Sequence, residues 1–233
     1  MPDPIRIAII DSGVHPDHPH IDNGRLLPGF SVAKDGAINE LDSLDALGHG
    51  TAVTAAIQDQ APDALCLPIR VFQDSLRTTA RALVSAIGCA IGAQVDLINL
   101  SLGTTNPVHH DLFAAVADRA LAAGMLIVAA REVDETACYP GSLRQVLGVS
   151  LDWDCPRDQY RQSGGLYHAS GHPRPIPGVP QQRNLYGVSF AVANMSGIVA
   201  RGGRAEIARL RDQAAANPTT RSTIQKQPIA PTA

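Results

Sequence analysis

Apolar residues along this chain gather in short runs whose spacing alternates between two periods. Residues 5–10 form a β-branched run, the mark of a strand buried on both faces in a parallel sheet. Residues 65–72, 95–100, 125–130 and 146–151 repeat the pattern and predict four more strands. Between them the period lengthens. Residues 78–92 place Ala80, Leu83, Val84, Ile87 and Ile91 on one helical face. Residues 51–58 read as a helix ended before Pro62, and 111–123 as one closed by Gly124. Two further helices are predicted over 188–200 and 205–216. Strands alternating with helices of this length imply an α/β fold, a three-layer parallel sheet with helices on both faces.

The polar stretches divide the rest. Residues 13–48, rich in His, Pro, Asp and Gly, read as loops with one short strand around 29–32. Residues 152–186 carry Gly, Pro, Gln and Arg with little periodicity, and read as a long loop region able to wall a binding cleft. Residues 217–233 are Pro-, Thr- and Gln-rich and read as a disordered tail, which leaves 1–216 as the folded domain.

Composition narrows the function classes. A chain of 233 residues with 45% hydrophobic content can bury one substantial core. The net charge of −3 supplies no dominant basic face, which argues against a nucleic-acid partner. The arginines between Arg201 and Arg211 read as one solvated helix face. No apolar run approaches the roughly 18 residues needed to span a membrane, and Met-Pro-Asp-Pro at the start is not a signal peptide. Cys66, Cys89, Cys138 and Cys155 form no C-x-x-C pair, so reduced thiols in a cytoplasm are expected, without a zinc site. His15, His18 and His20, spaced around two prolines, read as a solvated loop rather than a metal cluster, and no cofactor is implied.

Three segments carry candidate chemistry. Ile10-Asp11-Ser12-Gly13 closes the first strand, Gly48-His49-Gly50-Thr51 opens a helix, and Gly187-Val188-Ser189-Phe190-Ala191 opens another. A serine hydroxyl is a weak nucleophile until a base takes its proton. A neutral imidazole is such a base when a carboxylate holds its tautomer and stabilises the imidazolium that forms. Asp11 at the carboxyl end of a strand lies where sites of open parallel sheets gather. Ser189 at a helix N-terminus would place its backbone N–H beside a developing oxyanion.

With these motifs in the order Asp, His, Ser, the chain resembles the subtilisin-like serine proteases from about Ile5 to Ala200. Residues 96–103 resemble the family's substrate-pairing strand, and 139–149 the segment leading away from its specificity pocket. The resemblance implies catalytic Asp11, His49 and Ser189, with substrate binding by Ser101, Leu102, Gly103, Ala130 and Arg131. Departures accompany it. The family's Ala-Gly-Asn-Glu becomes Arg131-Glu132-Val133-Asp134, so an ungapped alignment puts Val133 where an Asn side chain donates to the oxyanion. Loss of one such donor costs about 10²–10³ in kcat. Arg131 is then a substitute oxyanion donor, a charge on the pocket floor, or a plain loop residue. The Ser motif carries Val188, Ala193 and Asn194 in place of Thr, Pro and His, and the second His of the His motif is Ala52. His20 replaces an Asp that often ligates calcium, and no propeptide is expected before Asp11.

The resemblance thus implies an endopeptidase forming an acyl-enzyme on Ser189. The small size and altered oxyanion loop point to restricted processing of one peptide or protein precursor, such as leader removal. This is the profile of cytoplasmic maturation proteases in peptide-modification systems, such as quinohemoprotein amine dehydrogenase biogenesis. Association with other maturation proteins would follow. The alternative is a pseudoprotease that binds peptides on the same scaffold. A Rossmann nucleotide binder is excluded, because no G-x-G-x-x-G follows the first strand.

Overall fold

The computed structural model describes residues 3–40 and 42–216; the tail expected over 217–233 lies outside them. The elements run β1 (Arg6–Asp11), β2 (Phe30–Val32), β3 (Ile38–Glu40), α1 (His49–Gln60), β4 (Leu65–Arg70), α2 (Ala80–Gly92), β5 (Leu97–Leu100), α3 (His110–Ala122), β6 (Leu126–Ala130), β7 (Glu132–Val133), β8 (Thr136–Ala137), β9 (Leu147–Leu151), β10 (Tyr160–Ser163), β11 (Leu166–Ala169), α4 (Val188–Arg201) and α5 (Gly203–Ala216). Nine strands form one sheet in the order β10-β11-β9-β6-β5-β1-β4-β2-β3. Its interior pairs are parallel, and only the outermost strands β3 and β10 run antiparallel to their neighbours.

The sheet is covered on both faces, which is why its central strands are apolar without alternation. Along β1, Ile7 and Ile9 join one core with Val53, Ile57, Phe190, Met195 and Leu210 from α1, α4 and α5. Ala8 and Ile10 point the other way, into a core with Ala82, Ile87, Phe113 and Val116 from α2 and α3. Each fully buried Ile or Phe contributes roughly 1.5–3 kcal/mol relative to exposure. The expected three-layer α/β architecture is the one observed. Among the described residues, no helix is long and apolar enough to cross a membrane.

The structure corrects several local readings. The region 152–186 is not all loop: β10 and β11 form a hairpin that extends the sheet through parallel pairing of β11 with β9. β10 was hidden because Tyr-Arg-Gln-Ser is an edge strand with no buried residue. The all-exposed β3 escaped for the same reason. α1 begins at His49 rather than Thr51, and α2 at Ala80, where the Thr79 side chain caps by accepting from Ala82 N. The arginines of 201–211 are more than a solvated face. Arg204 grips Asp96 and the carbonyls of Asp3 and Pro4, Arg201 reaches Gln60 and the Asp158 carbonyl, and Arg211 donates to the Gly124 carbonyl. They tether α4 and α5 to the amino ends of β1 and β5 and to neighbouring loops.

Candidate active site

Asp11 ends β1 in the middle of the sheet and is 0% exposed. Its Oδ1 accepts from its neighbour Ser12 N at 2.8 Å and from His49 Nδ1 at 2.7 Å, while Oδ2 is buried without a partner. His49 is held over Asp11 by the start of α1. Gly50 N donates to Ser12 Oγ at 2.8 Å, and any Cβ on Gly50 would collide with the Gly13 backbone, so only glycine permits this approach. The helix start is fixed by Asp45, whose carboxylate accepts from the backbone N–H groups of Leu47, Gly48 and Thr51 and from the Thr51 hydroxyl. Burial alone would raise the Asp45 pKa, but these hydrogen bonds outweigh it and hold the carboxyl below its ordinary value.

His49 leaves 16% of its side chain exposed. Burial alone would lower its pKa; the hydrogen bond to Asp11 and the charges of Asp11 and Asp45 outweigh that and raise it above the ordinary imidazole value. A partly exposed imidazole with one nitrogen on a buried carboxylate has the setting in which a general base can work.

Ser189 lies in the first turn of α4, where helix geometry leaves the leading N–H groups without intrahelical acceptors. Its neighbour Phe190 stacks at a tilt on His49, ring centroids 5.9 Å apart. The Ser189 hydroxyl donates to the Ser101 carbonyl at 3.0 Å in this conformation, not to His49, and the Ser101 hydroxyl donates back to the Ser189 carbonyl at 3.1 Å. Two residues that the sequence reading missed support this pair. Asn99 donates to Ser101 Oγ at 2.9 Å and accepts from Ser196 Oγ at 3.0 Å, all three side chains buried. Polar Asn99 inside the apolar run of β5, and Ser196 two turns along the same face of α4 from Ser189, were the available signals.

The proposed substrate-binding residues cluster at the ends of β5 and β6. Ser101 and Ala130 are buried, Leu102 and Arg131 half-buried, and Gly103 exposed. Val133 lies on the short β7–β8 hairpin, 40% exposed, beside a turn with Asp134 and Glu135 in the left-handed region. Cys138 and Cys155 are buried and Cys89 half-buried, and burial pushes the Cys66 thiol up to about 12, so none has a reactive setting. A cleft of about 770 Å³ adjoins Leu102 and Gly103, reaching Leu76 and Phe113. Another of about 560 Å³ adjoins the turn before His49, between His15, His18 and Leu47 on one side and Ile176 and Leu185 on the other. Part of the 152–186 region therefore does wall a cleft.

The residues at the implied calcium position do not fit that ion. His20 packs edge-on against His18, ring centroids 5.3 Å apart, and its carbonyl accepts from Arg174 at 2.9 Å. Burial, Arg174 and His18 lower the His20 pKa, against a smaller opposing effect of Asp59. An imidazole in place of a carboxylate, with the nearby Asp59 engaged by Arg157 and Arg174, does not make a hard oxygen cage.

The subtilase family profile matches residues 3–205. The chain belongs to the subtilase family. It is 30% identical over 160 residues to subtilisin DY of Bacillus licheniformis, covering 62% of this chain and 55% of that one. It is 31% identical over 112 residues to the Homo sapiens membrane-bound transcription factor site-1 protease, covering 46% of this chain and 10% of that one. This subtilase thus spans about half, or a tenth, of the length of these relatives. The solved structure of the prenylagaramide maturation protease PagA superposes with a TM-score of 0.66 at 24% identity, over 90% of this chain and 82% of that one.

Proposed function

We propose that this subtilase is a serine endopeptidase that cleaves a specific peptide or protein precursor, with Asp11, His49 and Ser189 as its triad and residues 1–216 as its catalytic domain. The observation that carries the reading is the 2.7 Å contact between His49 Nδ1 and a fully buried Asp11 carboxylate, with Ser189 one residue from a ring stacked on His49. In the reaction, the Ser189 hydroxyl turns from the Ser101 carbonyl to His49 Nε2 and gives up its proton as Oγ attacks the scissile carbonyl. The Ser189 N–H faces the oxyanion. His49 then protonates the leaving amine, and water, activated by the same base, hydrolyses the acyl-enzyme. Precursor processing is supported by the maturation role of PagA, which shares the fold. A cytoplasmic setting agrees with the four free cysteines.

One observation favours a second reading, a peptide-binding scaffold without catalysis: the Ser189 hydroxyl is engaged by Ser101 rather than by His49. A fluorophosphonate probe separates the two. An activated Ser189 is labelled rapidly, with labelling lost in Ser189→Ala and strongly slowed in His49→Ala. Absence of labelling in the folded wild-type protein favours the scaffold.

A further inference from the structure

We infer that the subsite for the residue supplying the scissile carbonyl is filled from within the protein, by Cys138, so that only glycine, alanine or serine fits there. The inference rests on the protease reading. The nucleophile fixes the location. Ser189 Oγ is 3.0 Å from the Ser101 carbonyl, at the point where β5 ends, so a carbonyl under attack must lie beside Ser101. An extended peptide there runs along Ser101–Gly103 by strand addition. Its side chain at the cleaved residue would then enter beyond the last paired residues of β5 and β6, Leu100 and Ala129.

The far side of that space is closed by residues 138–141, which return from the β7–β8 hairpin. Cys138 N donates to the Arg131 carbonyl at 2.9 Å, tying this segment to the end of β6. Thr104 and Tyr139 exchange two backbone hydrogen bonds of 2.9 and 2.8 Å, tying it to the end of β5. The contacts are backbone against backbone. A Cβ on Gly103 would lie 2.5 Å from Cys138 Sγ and 2.6 Å from the Tyr139 carbonyl oxygen, and one on Gly141 would collide with the Ala130 carbonyl. Cys138 is 2% exposed, with its thiol packed against Gly103. Burial pushes that thiol up to about 11, so it acts as an inert apolar wall. A methyl or hydroxymethyl group can lie over such a wall; an isobutyl or benzyl group displaces either the thiol or a backbone held by hydrogen bonds on both sides.

The test uses peptidyl diphenyl phosphonates that differ only at the residue bearing phosphorus, where Ser189 Oγ displaces phenolate. A simple fluorophosphonate serves as the reference. The wild-type protein should react with the Ala reagent at least about 100-fold faster than with the Phe reagent. Cys138→Gly and Cys138→Ala should narrow that ratio about tenfold or more, chiefly by accelerating the Phe reagent, each rate being taken relative to reference labelling of the same variant, with circular dichroism confirming the fold. Equal or faster wild-type reaction with the Phe reagent overturns the inference and leaves the protease reading standing. An unchanged Ala-to-Phe ratio in both folded variants also overturns it. If the reference reagent fails to label Ser189, the protease reading fails and the inference falls with it.

Discussion

Replacing Asp11 by Asn separates the carboxylate's role in the reaction from its role in the fold. Asp11 is fully buried, one oxygen accepts two hydrogen bonds, and the other has no partner. Losing the charge-assisted bond to His49 costs about 1.5–3 kcal/mol, and Asn keeps the second buried polar atom without a partner, as Asp11 Oδ2 is. At roughly 2–4 °C per kcal/mol for a domain of this size, the melting temperature should fall by about 3–12 °C with the fold retained. Activity should not survive equally well. Asn can donate to His49 Nδ1, which favours the wrong tautomer, and such a change lowers kcat about 10⁴-fold where a triad operates. The same variant tests the pH dependence. With its pKa raised by Asp11 and Asp45, His49 becomes a neutral base only above the ordinary imidazole range, so wild-type reactivity should climb with pH to a midpoint above about 6.5. Asp11→Asn should shift that midpoint down. For stability the sign is opposite: the raised His49 pKa stabilises the fold below its unfolded pKa, and this is lost as pH rises through the folded pKa. The assay is the fluorophosphonate labelling rate across pH 5–9, alongside thermal unfolding. Labelling of Asp11→Asn at the wild-type rate with an unmoved midpoint would refute the reasoning.

Ser196→Ala leaves the Asn99 side-chain oxygen Oδ1 buried without its donor, so a loss of about 1–3 kcal/mol in chemical denaturation is expected, together with slower Ser189 labelling; an unchanged labelling rate would show that the Asn99–Ser101 chain does not position the nucleophile. Calcium should leave the melting temperature unchanged between chelator and millimolar ion, because ligands stabilise only through a site present in the folded state; a rise of several degrees would contradict the poor fit at His20. Short generic peptides should be cleaved far more slowly than a full-length precursor, and Val133→Asn should change neither rate by more than about twofold, its side chain lying on an exposed hairpin; a tenfold gain in Val133→Asn would place residue 133 at the oxyanion after all.

The elements that could be read from the chain are those whose burial imposes a period. β1, β5 and β6 announce themselves because both faces are covered, and α2 because one face must pack while the other is wet. β3 and β10 left no trace, since edge strands are held by backbone pairing that any side chain permits. The candidate site divides in the same way. Asp11, His49 and Ser189 stand out because strand ends and helix starts are marked by glycines. Asp45, Asn99 and Ser196 act through hydrogen bonds between segments far apart in sequence, and only the assembled sheet brings those partners within reach.

On the inference drawn above, one feature serves both the missing Asn and the filled subsite. The chain goes from Ala130 to Tyr139 through a hairpin of minimal strands, and this shortness draws residues 138–141 back against both Gly103 and Ala130. Val133 stands on this connection where the ungapped alignment expects Asn, and on that inference so tight a connection leaves no depth for a large side chain. On the protease reading, such a site has one backbone donor from α4 and a shallow subsite, so little of its binding energy comes from the cleaved residue itself. The shortfall in transition-state stabilisation must then be met by contacts farther along the substrate, in the clefts beside Leu102 and beside Leu47 and Leu185. On that reading the protein would discriminate by the length and fit of its partner rather than by one residue, as the precursor processing proposed above requires.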